Sequence, residues 1–181
     1  VTRRALLASI LALPLLRLAR PAWAGGAFEE DAMQTGAVEP IERIEVRASE
    51  WKPLLTAQAY AVLFEEGTEP PFSSPLDAEK RTGTYLCAAC LLPLFRSEAK
   101  FESGTGWPSF FEPLAGRVDT SRDFKLLIPR TEYHCARCGG HQGHVFGDGP
   151  PPTGLRYCNN GVALRFVPDG SELPALRRPA A

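Results

Sequence analysis

E-Y-H-C-A-R-C-G-G-H-Q-G-H-V-F, residues 132–146, admits two readings, and they lead to different folds. Cys135, Cys138, His141 and His144 recur every three residues, so a helix would line them along one stripe. Gly139, Gly140 and Gly143 interrupt that run, and each glycine costs a helix interior about 1 kcal/mol relative to alanine. A helical four-ligand set would also leave Cys87 and Cys90 without a role. The stretch reads instead as two short strands, E-Y-H-C and H-V-F, joined through a Cys-x-x-Cys knuckle.

The same spacing occurs earlier, in C-A-A-C at 87–90. Each pair makes a tight knuckle that points two sulfurs at one ion. Cys87, Cys90, Cys135 and Cys138 therefore read as a closed four-thiolate zinc site, structural because no coordination position stays open. With 44 residues between the pairs, one zinc per chain would tie together two hairpins distant in sequence. The competing readings are disulfides or a redox use of each C-x-x-C.

Other short apolar runs lie between turn residues: T-Y-L-C, L-P-L-F, the segment around 124–128, L-R-Y-C and V-A-L-R-F-V. With 17 prolines and 16 glycines in 181 residues, these runs predict a mainly β, antiparallel fold. Helical signals come only before them. Ser49 is placed to cap a short helix through Glu50–Lys52. Thr56 is placed to cap a second, Ala57–Glu66, ended by Gly67, with Tyr60, Leu63 and Phe64 facing the core. The domain is placed at 49–168, with a flexible linker lacking a clear apolar face at 25–48 and a frayed tail at 169–181. The net charge of −1 is spread along the chain, and no basic stripe points to nucleic acid.

Residues 1–24 read as an export signal: a basic start with Arg3-Arg4, an apolar run Ala5–Leu16, then A-W-A at 22–24 as a cleavage site. The run falls short of the ~20 residues a membrane span needs. The paired arginines resemble a twin-arginine signal, with a general secretory signal as the alternative. The expected location is periplasmic or otherwise exported.

Cys158, in L-R-Y-C-N-N-G at 155–161, stands outside both knuckles. If that stretch is extended, alternation puts Arg156, Cys158 and Asn160 on one face. A cation beside a thiol favours the thiolate, the nucleophilic form. The plainer readings are a buried core cysteine and an Asn-Gly hairpin turn at 160–161. His141 and His144 are free to handle protons, and Trp107 in G-W-P-S-F is either an aromatic wall or core packing.

Taken in order, G-T-E-P-P-F at 67–72, C-A-A-C, P-L-F, K-F-E-S-G-T-G-W-P-S-F at 100–110, C-A-R-C, H-Q-G-H-V-F-G-D-G-P at 141–150 and P-T-G-L-R-Y-C-N-N at 152–160 closely resemble the methionine-R-sulfoxide reductases of the B type. The resemblance implies a small domain of two antiparallel sheets, tent-like or barrel-like, with short N-terminal helices and a four-cysteine zinc. It implies thiol-dependent reduction of methionine-R-sulfoxide, free or in oxidised proteins. Position by position, Cys158 matches the nucleophile, and His141 and His144 match the pair that positions and protonates the sulfoxide oxygen. Arg156 and Asn160 match residues that shape and polarise the thiolate's surroundings, and Trp107 matches the aromatic that holds the substrate methyl group.

The chain departs from the pattern in three places. Thr105 stands where many relatives carry a second cysteine that resolves the sulfenic acid, so regeneration is expected from an external thiol such as a thioredoxin-like protein. Gln142 stands where leucine is common, and Asn159 where isoleucine is common. Competing functions are a zinc-pinned binding module with an inert Cys158 and a thiol peroxidase; the histidines and Trp107 favour the reductase.

Overall fold

The computed structural model describes residues 41–123 and 129–180. The expected export signal, the first part of the expected linker and the strand expected around 124–128 lie outside the described residues.

The chain enters the domain through a 3-10 helix, Ala48–Leu54, followed by α1, Ala57–Glu65. Ser49 does not cap the first of these: the N-cap is Arg47, which makes no capping side-chain bond. The reason is that the 3-10 turn begins at Ala48, one residue before the serine. Thr56 does cap α1, its Oγ1 accepting from Ala59 N–H at 3.1 Å. Glu66 ends the helix in the left-handed region at φ 54°, so α1 stops one residue before Glu66. Leu63 is buried with Ala59 and Val62, whereas Tyr60 and Phe64 are half-buried against the core. Phe64 stacks on the buried Trp51 at a ring separation of 5.7 Å.

Nine strands follow: β1 Gly83–Cys87, β2 Pro93–Arg96, β3 Lys100–Phe101, β4 Ser109–Phe110, β5 Val118–Asp123, β6 Arg130–Cys135, β7 His141–Phe146, β8 Arg156–Asn159 and β9 Leu164–Pro168. They form two antiparallel sheets, β2-β1-β9 and β3-β4-β8-β7-β6-β5. The strand β5, V-D-T-S-R-D, has no apolar alternation because it is an edge strand with mostly exposed side chains. Charged, polar edges of this kind discourage pairing with another chain.

One core joins the sheets. Phe95 of β2 stacks on Phe110 of β4 at 4.2 Å, and Tyr85 of β1 meets Phe110 edge-on at 4.9 Å. Phe95 also meets Tyr133 of β6 edge-on at 6.2 Å. Such aromatic pairs add about 0.5–1.5 kcal/mol each beyond area burial, and all four rings are fully buried.

Two segments read from sequence as loose are laid against this core. In the stretch 41–48, Ile44 is 6% exposed and its N–H donates to the Arg137 carbonyl at 2.7 Å. In the tail, Arg177 N–H donates to the Cys90 carbonyl at 2.9 Å, and the Arg177 guanidinium donates to the carbonyls of Ala88 and Ala89. Arg137 Nη1 in turn donates to the Arg177 carbonyl at 2.7 Å. A few backbone and guanidinium bonds thus hold the tail where composition predicts fraying. Among the described residues, no helix is long and apolar enough to cross a membrane.

Candidate active site and metal centre

Cys87 ends β1 and Cys135 ends β6, so the two knuckles grow from different sheets. They have the same backbone pattern. Leu91 N–H returns to Cys87 C=O and Cys87 N–H donates to Leu92 C=O, both at 2.9 Å. In the second knuckle Gly139 N–H returns to Cys135 C=O and Cys135 N–H donates to Gly140 C=O, both at 2.9 Å. The fifth residue of each turn is left-handed, Leu91 at φ 63° and Gly139 at φ 71°. Leucine adopts that conformation against its preference, as the tight turn requires.

The four sulfurs converge. Cys87 Sγ lies 3.7 Å from Cys138 Sγ, and Cys90 Sγ lies 3.5 Å from Cys135 Sγ. A tetrahedral zinc with Zn–S bonds of ~2.3 Å holds its sulfurs about 3.8 Å apart, so these residues fit a closed zinc site. The pairs that approach come from opposite knuckles, and all five cysteines of the chain are free of disulfides. This arrangement argues against a disulfide within either C-x-x-C.

Cys158 lies on β8 between two register partners: Ser109 of β4 and His144 of β7. Directly opposed residues in an antiparallel pair share a face, so the thiol and the imidazole lie on the same side. Tyr157, on the other side, packs against Tyr133 and Phe95. Gly143 allows the close approach of β7 here. A Cβ at that position would lie 1.9 Å from the Cys158 carbonyl oxygen, so any side chain would push the two strands apart.

A pocket of about 130 Å³ opens at this point, lined by Cys158, His144, Trp107 and Asn160 together with Thr68, Arg130 and Phe146. The half-buried Trp107 is fixed by its indole N–H, which donates to the Glu69 carbonyl at 3.1 Å. Asn160 is fixed twice: its Oδ1 accepts from Glu69 N–H, and its Nδ2 donates to the Gln142 carbonyl, both at 3.0 Å. The buried Glu69 carboxylate accepts from the N–H groups of Gly161 and Val162. Burial nevertheless holds its pKa above the ordinary range. Residues 160–161 are therefore no hairpin turn; Asn160 is extended and leads into a 3-10 turn, Gly161–Ala163. Glu69 positions both Trp107 and Asn160, and its only sequence signal is its place in G-T-E-P-P-F.

The two histidines part company. His144 lines the pocket, and its Nε2 lies 2.9 Å from Asp123 Oδ2, an oxygen that also accepts from Arg130 Nη2 at 2.6 Å. Asp123 and Arg130 were not legible as site residues, since neither stands in a spaced motif. His141 does not line the pocket. It is 2% exposed, its ring 5.5 Å from that of His144, with Nδ1 2.6 Å from Glu132 Oε1. Burial pushes the His141 pKa down to about 4, with the Glu132 charge opposing and His144 adding to the depression. At neutral pH this imidazole is therefore uncharged.

Arg156 also stays outside the pocket lining. Its guanidinium makes a two-pronged pair with Asp148, at 2.8 and 2.9 Å, and lies over the Phe146 ring at 4.4 Å. Burial raises the Cys158 pKa above the ordinary thiol value. The charge of Arg156 and the polar influence of Thr105 oppose that rise without overcoming it. The sequence shows the cation, which does act towards the thiolate, but not how far burial outweighs it.

Gln142 and Asn159 are both fully buried and bonded to each other, Asn159 Nδ2 to Gln142 Oε1 at 3.4 Å. Asn159 Nδ2 also donates to Tyr133 Oη at 2.8 Å, and Gln142 Nε2 donates to Cys87 Sγ at 3.4 Å. The two departures from the family pattern are thus one polar pair. It joins a sulfur of the metal centre to the residue that follows Cys158.

The SelR domain family matches residues 55–168, a span that starts just inside the expected domain and ends with it. A peptide methionine sulfoxide reductase MsrB of Agrobacterium fabrum is 53% identical over 121 residues, covering 66% of this chain and 90% of that protein. One of the same name from Pseudomonas putida is 49% identical over 134 residues, 72% of this chain and all of the relative. Another, from Caulobacter vibrioides, is 55% identical over 121 residues, 66% of this chain and 76% of the relative. With the family model spanning the knuckles, the pocket and both sheets, and relatives at about half identity, the chain belongs to the SelR domain family, the B-type methionine-R-sulfoxide reductases.

Proposed function

We propose that the chain reduces the R epimer of methionine sulfoxide, in oxidised proteins or free, with Cys158 as the nucleophile. The observation that carries this reading is the convergence of Cys158, His144, Trp107 and Asn160 on one small pocket. The Cys158 thiolate attacks the sulfoxide sulfur while a proton is delivered to the sulfoxide oxygen, which makes it a competent leaving group. The S–O bond breaks, the oxygen passes to Cys158 as a sulfenic acid, and the substrate leaves as the thioether. The substrate sulfur is reduced by two electrons and the cysteine sulfur oxidised by two.

His144, held by Asp123, stands where that proton is needed. His141 supports it from behind, neutral and buried. Trp107 provides the apolar wall for the substrate methyl, and Arg156 and Thr105 steady the thiolate. Two equivalents of an external thiol, or one dithiol of the thioredoxin class, then return Cys158 to the thiol with loss of water. One structural zinc per chain is assigned to Cys87, Cys90, Cys135 and Cys138, because their sulfur spacing matches a four-thiolate site.

A single turnover without reductant tests the chemistry. It should yield one thioether per chain and label Cys158 with a sulfenic-acid probe; a labelled knuckle cysteine would contradict it. Export remains part of the proposal on the strength of Arg3-Arg4 and A-W-A at 22–24. Replacing both arginines with lysine should leave the protein unexported, and unchanged export would rule out the twin-arginine route.

A further inference from the structure

Behind the pocket, a second cluster carries metal-ligand chemistry. Glu132 and His134 are two residues apart on β6, so both side chains point to one face, and His141 on β7 is the register partner of His134. With His141 opposite His134 across a register shift and His144 opposite Glu132, the two strands bring three donors to one point. Glu132 Oε1 lies 2.6 Å from His141 Nδ1 and 3.1 Å from His134 Nε2, and the three donor atoms lie within 4.8 Å of one another.

A second observation concerns His141. Its side chain is 3% exposed, yet among the described residues Nδ1 finds no partner of hydrogen-bond geometry, despite its closeness to Glu132. This buried imidazole nitrogen lies beside a carboxylate, in a ring 5.8 Å from that of a second imidazole, His134. His134, with 22% of its side chain exposed, gives the cluster a route to solvent.

We infer that Glu132, His134 and His141 form a second, exchangeable site for a borderline divalent cation of the zinc class, separate from the four-cysteine centre. Two imidazoles and a carboxylate suit such ions better than calcium or magnesium, which favour all-oxygen sets. Three protein ligands leave one position open, on the side of His134 that faces solvent. The ion would draw His141 and Glu132 into fixed bonds next to His144, whose ring is 5.5 Å away. Filling the site therefore restrains the pocket histidine from behind. Any consequence of that restraint for turnover rests on the proposed reductase activity, whereas the binding does not.

The test is made on the full protein with its four-cysteine metal retained. Calorimetry with Zn²⁺, and absorbance with Co²⁺, should show one further equivalent. The Co²⁺ complex should give visible ligand-field bands without the near-ultraviolet charge transfer of thiolate ligation. Cys158→Ser should bind that equivalent unchanged. His134→Asn should weaken it by about tenfold or more, the scale on which losses at metal sites register, while keeping the four-cysteine metal and the basal turnover. Glu132→Gln gives an independent loss of the same equivalent. The inference is overturned if no further equivalent binds, if His134→Asn binds it with unchanged affinity, or if binding disappears in Cys158→Ser. The last result would place the ion on the thiol. Binding confirmed in a protein with no reductase activity would sustain the site and overturn the proposed function alone.

Discussion

Cys158 and His144 face each other in register across β8 and β7, on the side of the sheet that opens into the pocket. Cys158 stands on one strand, His144 on the next, and the Asp123 carboxylate that holds His144 closes β5. Backbone pairing, and no flexible loop, sets the separation of the proposed nucleophile and the proposed proton donor.

His144→Ala should therefore slow reduction by roughly 10²-fold, the lower range for removal of a general acid, with the fold intact. Asp123→Asn should slow it less, since the imidazole remains but its orienting charge is lost. Steady-state turnover with dithiothreitol measures both. Equal rates for His144→Ala and the unmodified protein would move the proton donor elsewhere.

The burial of Cys158 has a pH signature. Its pKa is raised by burial, so the thiol form dominates at neutral pH and thiolate appears only as pH rises past the ordinary thiol value of about 8.5. Alkylation of Cys158 should accelerate with pH and reach its midpoint above that value. Arg156 and Thr105 oppose the shift, so Arg156→Gln or Thr105→Ala should move the midpoint further up. A midpoint below that of a free cysteine would show that the cation outweighs burial.

The Gln142–Asn159 pair should behave as a unit and couple to the metal centre. Gln142→Leu or Asn159→Ile alone leaves a buried polar group without its partner, at a cost of about 1–3 kcal/mol. The double change should cost less than the sum, with a coupling of about 0.5–3 kcal/mol in chemical denaturation. Gln142→Leu should also speed zinc release to a chromogenic chelator, because it removes the N–H donor on Cys87 Sγ. Cys87→Ser should lower zinc content and melting temperature together, since metal binding and folding are linked. Additive stabilities and unaltered release would mean that the pair is only packing.

Much of this was legible from residues. The knuckles announced themselves by spacing, and six of the nine strands stood out as short apolar runs between turns. What escaped notice escaped for physical reasons. The strand β5 is a polar edge, and β3 and β4 are two residues each, too short for any period to show. Glu69 acts through its own backbone as much as its carboxylate, and Asp123 is one acid among many until the sheet brings it to His144. The charge of Arg156 was legible beside Cys158, and it does oppose the burial shift, but burial of Cys158 depends on packing that no local pattern encodes.

Thr105 opposes the burial shift of the Cys158 thiol, and its Oγ1 lies 2.8 Å from Ser103 Oγ, which lies 2.8 Å from Oγ of Ser109, the register partner of Cys158. Position 105 therefore stands one hydroxyl relay away from the strand residue opposite Cys158. After one turnover, Thr105→Cys should hold a disulfide to Cys158 and lose sulfenic-acid labelling, because a neighbouring thiol captures the oxidised sulfur before reagents in solution do. The variant should also become a better substrate for thioredoxin-like dithiols. Persistent labelling in the variant would mean that the two side chains do not meet.

The most direct measurement of the central claim is turnover of the two resolved methionine sulfoxide epimers by the protein and by Cys158→Ser, with dithiothreitol as reductant. The account predicts rapid reduction of the R epimer, poor reduction of the S epimer, and loss of R-epimer activity in Cys158→Ser with the fold retained. Comparable rates on both epimers, or undiminished R-epimer reduction without the Cys158 thiol, would contradict it.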